Sequence, residues 1–178
     1  MLHALLDPAR GTLPRPFRAH TVPADLQAVD YDLGTQGFAY FDRRSMRDSF
    51  EDNRPWNSGW SYRNDGVDIE PSQDPPSDWN LGWIEDGEWL QFTLEVTEAG
   101  VYDVELRVAT PQTGGRVLLR WNGVPLPASP LVVPRTGGWQ SWTSIWARDL
   151  PLQPGTYRLR VEFPVGGFNL GRLRFTRH

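Results

Sequence analysis

Cysteine is absent from the 178 residues, which excludes a disulfide framework and any thiolate metal site. Lysine is absent too, so all 18 basic residues are arginine. The three histidines, His3, His20 and His178, lie in or near the tails. They leave no Ser-His-Asp arrangement and no metal-spaced histidine pair. No G-x-x-x-x-G-K sequence is present to cradle a phosphate, and no apolar run is long enough to span a bilayer. The N-terminal MLHALLDPARGTLPRP has no basic n-region, and its apolar run is broken almost at once. The chain is therefore expected to be soluble, without a visible export signal and without a membrane partner. A net charge of −4 gives a nucleic-acid partner no electrostatic support.

Tryptophan, by contrast, is abundant: nine residues, with aromatics at 12 % of the chain. Several sit in polar, glycine-rich company rather than in apolar strands, as binding-surface aromatics do. Residues 1–21, interrupted by Pro8, Pro14 and Pro16, are expected to be a linker or the remnant of a preceding module. From residue 22 onward the chain reads as short strands with turn signals every 8–14 residues, the pattern of an all-β sandwich. Strands are expected at 25–32, 36–42, 66–70, 81–85, 88–96, 101–109, 117–121, 142–150, 156–163 and 170–176. The proline-rich 124–133 is expected at a sheet edge. Asp86-Gly87 is expected to join 81–85 to 88–96 as a hairpin. In 101–109 the alternation places Val101, Val104, Leu106 and Val108 inward, with a slip at Tyr102-Asp103. Residues 43–60, which carry Trp56 and Trp60, are expected to form a long surface loop near the rim of any binding site.

Two kinds of chemistry suit acids set beside aromatics. Glycoside hydrolysis needs a pair of carboxyls about 5–10 Å apart, and Glu85 and Glu88 flank a tight turn. The acid of such a pair needs an apolar pocket to raise its pKa, whereas a hairpin tip carrying Asp86 as a third acid is expected to be solvated. Sugar binding needs indole faces for the apolar side of a pyranose and amides or carboxylates for its hydroxyls. One stacked ring contributes about 1–2 kcal/mol. Trp83, Trp89, Trp121, Trp139, Trp142 and Trp146 are the aromatic candidates. Trp142 and Trp146 share one strand face and are expected to belong, one or both, to the core. Trp139 follows Thr136-Gly137-Gly138 in a loop, where there is little core to enter.

Four motifs in order, YRNDGVDIE (62–70), NLGWIEDGEW (80–89), TGGWQSW (136–142) and GGFNLGRLRF (166–175), resemble carbohydrate-binding module family 6. The first strand, VPADLQAVDYDLGTQGFAYFD (22–42), does so as well, and the resemblance spans about residues 22–176. Family 35 is a less similar relative. The resemblance implies a jelly-roll, galactose-binding-domain-like β-sandwich over 22–178 that binds a polysaccharide or oligosaccharide of the β-glucan, xylan or agar type without catalysis. It implies a loop cleft in which Trp83 and Trp139 hold one sugar, with Asn169 at the base, Glu70 beside it, and Tyr62 and Asp68 as neighbours. It also implies a possible second site on a sheet face, with Trp89, Gln91, Arg120 and Trp121. The implied partner is a linked glycoside hydrolase, and the implied location is extracellular or at the cell surface.

The family's first strand also supplies acids to a structural calcium. Here Gln27-Ala28-Val29 replaces the usual acidic pair and Gly171 stands where an Asn is common. Two side-chain donors of the usual set are thus lost, so with Gln27 as a remaining metal candidate the domain is expected to require no cofactor, and either to fold without calcium or to bind it weakly. Two other readings remain at this level. One is a stand-alone hydrolase using acids such as Glu70 or Glu85; the other is an adhesion domain whose cleft contacts protein.

Overall fold

Residues 14–44, 62–63, 65–127 and 129–178 are described by the structure, a computed structural model. Trp56 and Trp60, and with them most of the expected rim loop, lie outside these residues. Among the described residues thirteen strands form, in the order β1 (Thr21–Val22), β2 (Asp25–Gln27), β3 (Tyr40–Phe41), β4 (Ile69–Pro71), β5 (Trp79–Leu81), β6 (Glu88–Val96), β7 (Gly100–Ala109), β8 (Arg116–Trp121), β9 (Val124–Pro125), β10 (Leu131–Val132), β11 (Trp142–Leu152), β12 (Gly155–Val165) and β13 (Asn169–Arg177). One sheet runs β1-β6-β12-β8-β10, with β3 also on β6 and β9 on β8. The other runs β11-β7-β13-β5-β4, with β2 on β13.

Period-two alternation explains how the two sheets close on each other. In β6 the side chains of Leu90, Phe92, Leu94 and Val96 are buried, while Trp89, Thr93 and Glu95 alternate outward. In β7 the buried apolar series is Tyr102, Val104, Leu106 and Val108. The expected slip at Tyr102-Asp103 does not occur. Val101 is exposed and Tyr102 is fully buried, and its hydroxyl donates to the carbonyl of Glu98 at 2.8 Å. The proline-rich 124–133 does lie at an edge, as the two-residue strands β9 and β10 on β8.

Two expectations in the first half of the chain need correction. The strand expected at 25–32 ends at Gln27, and Ala28–Asp30 form a 3-10 turn. The expected hairpin of 81–85 with 88–96 is also absent. β5 pairs with β4 and β13 in one sheet, whereas β6 pairs with β12 in the other. Residues 82–87 are thus a corner that carries the chain between sheets. Trp83 takes a left-handed φ of 47° there, uncommon for a bulky residue and costly enough to mark a position that the surrounding structure dictates.

Within the stretch expected as a linker, residues 15–20 lie against the sandwich. Arg15 and Leu33 exchange backbone hydrogen bonds at 2.9 and 2.7 Å, and the Phe17 ring meets Tyr62 edge-on. The loop that carries Tyr62 is anchored by Arg63, a buried arginine. Its guanidinium donates to the carbonyls of Val29, Tyr31 and Asp32, pairs with Asp65 at 2.9 Å and lies 3.6 Å over the Tyr31 ring. One cation thereby satisfies three carbonyls of the 3-10 turn and the two residues after it, groups that burial would otherwise penalise.

Candidate functional site

At one end of the sandwich the corner 82–87, the 136–141 loop and the start of β13 enclose a cavity of about 190 Å³. It is lined by Glu70, Trp83, Ile84, Trp139, Gly167, Phe168 and Asn169. Trp83 and Trp139 are 42 % and 44 % exposed, unusual for so large an apolar side chain and appropriate for a surface that takes up a ligand. Four of the expected cleft residues, Glu70, Trp83, Trp139 and Asn169, therefore converge although they are far apart in sequence.

The base of the cavity is a hydrogen-bonded lock. One oxygen of Glu70, Oε1, accepts from Asn169 Nδ2 at 2.7 Å, Gln140 Nε2 at 2.9 Å and Asn80 Nδ2 at 3.1 Å. Asn169 Nδ2 also donates to the carbonyl of Trp139 at 2.8 Å, which ties the amide to the loop bearing that indole. Glu70 Oε2 and Asn169 Oδ1 have no hydrogen bond among the described residues. Both remain as acceptors for a ligand. Asn80 and Gln140 were not among the expected site residues. Each lies within three residues of a cleft tryptophan, a proximity that is the only signal the sequence offers.

Two glycines bring the corner and the cleft wall together. A Cβ on Gly166 would lie 2.8 Å from the carbonyl carbon of Ile84, so only glycine permits this approach. Next to it Gly167, at φ 81°, donates its N–H to the Ile84 carbonyl at 2.8 Å. A Gly166→Ala variant is expected to displace Trp83 and to lower the unfolding free energy by about 1–3 kcal/mol. Urea unfolding measures the stability change, and tryptophan fluorescence reports the displaced ring.

Tyr62 is not brought to this cavity. Its hydroxyl donates to Asp30 Oδ1 and accepts from Arg18 at 3.1 Å, and its ring packs between Phe17 and Trp79. A half-buried phenol takes the nearest carboxylate, and that carboxylate belongs to the 3-10 turn. The expected second site also divides. Trp89, Gln91 and Arg120 share the outer face of the first sheet, but Trp121 does not. Adjacent strand residues point to opposite faces, so Trp121 faces the core against Tyr157 and Phe175. Trp142 and Trp146, expected to supply core, lie half-buried on the outer face of the second sheet. Trp142 Nε1 donates to Gln140 and Trp146 lies under Arg148.

Asp86 is exposed at the corner, as expected of a solvated turn, but one of its neighbours is not. Glu88 is buried, and its carboxylate accepts the backbone N–H groups of Glu85 at 2.9 Å and Arg43 at 3.0 Å. Burial, with Asp42 nearby, pushes its pKa to about 8. Asp68 is likewise raised to about 8 by burial and then by Asp42, and burial lifts Asp42 to about 6. Asp42 and Glu88 are buried beside the corner, whereas Asp68 lines a separate pocket with Trp83, Ile84 and Glu85, outside the cavity that holds Glu70 and Asn169.

Calcium finds no suitable donor set here. Gln27 Oε1 is a buried acceptor without a hydrogen bond, but its register partner is Arg172, a cation on the neighbouring strand. The next donor position is the apolar, buried Val29, and the nearby carbonyls of Val29, Tyr31 and Asp32 are taken by Arg63. Among the described residues no three His, Asp or Glu side chains are grouped to hold a metal. A chelator is expected to shift the melting temperature by less than about 2 °C, because no ligand-linked stabilisation is there to remove. Differential scanning calorimetry with and without EDTA checks this.

A two-sheet β-sandwich with half-exposed tryptophans around an amide-locked carboxylate defines a carbohydrate-binding module. The sequence profile of carbohydrate-binding module family 6 matches residues 60–177, and the chain belongs to that family of non-catalytic modules. It is 30 % identical over 112 residues to the clotting factor G alpha subunit of Tachypleus tridentatus, a match spanning 62 % of this chain and only 16 % of that protein. Among solved structures, it is similar to the C-terminal family 6 module of a laminarinase from Zobellia galactanivorans, with 32 % identity and a TM-score of 0.56 over 62 % of this chain and 88 % of that one. A family 6 module of Cellvibrio mixtus lichenase 5A, solved with cellotriose, is 29 % identical with a TM-score of 0.53 over 64 % of this chain and 88 % of that one. Among the described residues no helix is long and apolar enough to cross a membrane.

Proposed function

We propose that the end cavity holds one sugar residue of a β-glucan, stacked between Trp83 and Trp139, with its hydroxyls donating to Glu70 Oε2 and Asn169 Oδ1. The observation that carries this reading is the pair of half-exposed indoles bordering a cavity of about 190 Å³ whose base is a carboxylate fixed by three amides. The β-glucan class is supported by the similarity to modules of a laminarinase and a lichenase, the second solved with cellotriose. Asn80 and Gln140 act as positioning residues. They orient Glu70 without reaching the ligand.

The preformed lock lowers the cost of ordering side chains on binding. Few groups contribute, however, so affinity is expected in the range of about millimolar to micromolar. A linked glycoside hydrolase would gain from such a module by effective concentration on an extracellular or cell-surface polysaccharide. Truncation in a Trp139→Ala variant removes about 1–2 kcal/mol of apolar burial, about 5- to 30-fold in affinity. Isothermal titration with laminarin and mixed-linkage β-glucan oligosaccharides measures it. Unchanged affinity for both ligands would sink the cleft assignment. Appearance of new reducing ends on incubation of the chain with these glycans would favour a hydrolase instead.

A further inference from the structure

Away from the cleft, the outer face of the first sheet carries a groove of about 830 Å³, lined by Gln91, Arg120, Asn122, Arg158, Arg160 and Glu162 among others. Three arginines face one glutamate there, on a chain whose net charge is −4. Glu162 Oε1 is shared, accepting from Arg120 Nε at 2.9 Å and lying 4.0 Å from Arg160. Arg158 is exposed, and its guanidinium has no ion pair or hydrogen bond among the described residues. Two further acids border this face: the buried Asp32 carboxylate accepts from Gln91 Nε2, Thr93 N and Thr93 Oγ1, and Glu95 accepts the Thr156 hydroxyl at 2.7 Å; neither forms an ion pair with Arg158 among the described residues.

The aromatic on this face is not free for a neutral sugar. The Arg160 guanidinium lies 3.7 Å over the Trp89 ring, so stacking a pyranose on that indole requires the cation to leave its cation–π contact. With the ring capped and the arginines crowding a single carboxylate, the groove is short of negative charge rather than of apolar surface. We propose that it binds an anionic glycan, one whose sugars carry carboxylates or sulfate esters, the planar forks of Arg158 and Arg160 engaging those groups. The inference rests on the reading of the chain as a glycan-binding module, but it uses a different surface from the cleft.

Affinity electrophoresis and isothermal titration of the whole chain test it, with four probes: laminarin, polygalacturonate, a sulfated galactan and a double-stranded DNA fragment. Polygalacturonate, the sulfated galactan or both should bind at about 50 mM salt and weaken about tenfold or more at about 500 mM. The probe that binds identifies carboxylate or sulfate as the recognised group. The same binding should weaken about tenfold in Arg158→Gln/Arg160→Gln and persist in Trp139→Ala, whereas laminarin binding should show the reverse pattern. Arg158→Gln alone, which removes no ion pair or side-chain hydrogen bond among the described residues, should weaken polyanion binding with an unchanged melting temperature. No polyanion binding at low salt, binding indifferent to the arginine variants, or equally tight DNA binding would overturn the proposal. Loss of laminarin binding in Trp139→Ala with polyanion binding intact separates this groove from the cleft, and failure of laminarin to bind at all would bear on the cleft alone.

Discussion

Replacing Arg63 with methionine is expected to lower the unfolding free energy by about 3–5 kcal/mol, the cost of removing one partner of a buried, hydrogen-bonded ion pair. Methionine keeps an unbranched apolar stem beside Tyr31 and Phe17 but strips the donors from the carbonyls of Val29, Tyr31 and Asp32 and from Asp65. Those groups stay largely buried and lose their partners together. Lysine at the same position supplies a point charge without the fork and should restore less than half of the loss. Urea unfolding of the three proteins reads the effect. A loss below about 1 kcal/mol for Arg63→Met would mean that water replaces the guanidinium at little cost.

Raising the pH into the mildly alkaline range is expected to weaken the fold. Asp68 and Glu88 have pKa values near 8 in the folded chain, and Asp42 near 6, against about 4 for such groups when unfolded. Each raised value means that the folded state prefers the protonated acid. The resulting stabilisation is complete below about pH 4 and is lost as the pH climbs through about 8. The three groups couple to one another, so the combined fall between pH 5 and pH 8.5 is expected to be about 3 kcal/mol. Chemical denaturation across that window measures it. Asp68→Asn, which removes one proton-binding site while preserving shape, should flatten the slope and make the variant more stable than the parent at pH 8.5. A profile that rises toward pH 8.5 would contradict the burial of these acids.

Much of this architecture is legible in the residues themselves. Alternation in 88–96 and 156–163 is strict because one face of each strand must enter the core, and β6 and β12 follow it. Glu70, Trp83, Trp139 and Asn169 could be gathered into one cleft only through the order of their motifs, since nothing local brings residue 70 near residue 169. Trp121 could have been placed correctly from parity alone, because it cannot share a face with Arg120. Other features depend on depth, which periodicity does not encode. Glu88 reads as a turn acid in DGEW and becomes a buried acceptor only because 82–87 crosses between sheets. Tyr62 and Asp30 meet across 32 positions of chain, a distance over which no spacing rule operates. Gln140 and Asn80 were hidden for the same reason: an amide beside a tryptophan is ordinary until a carboxylate arrives from another strand.

The three amides that converge on Glu70 Oε1 have a consequence for how the cleft tells ligands apart. Every proton of the Asn169 amide is spent inside the fold, and so are those of the Asn80 and Gln140 amides directed at this site. What the carboxylate and the amides present at the base of the cavity is lone pairs, the indole N–H groups lying at its rim. The base of the proposed cleft therefore reads a sugar by the protons its hydroxyls can give, not by ring and linkage oxygens that could only accept. A glycan that kept its shape and its apolar face but had its hydroxyls capped as ethers would fit the space and still leave the base of the cleft unanswered.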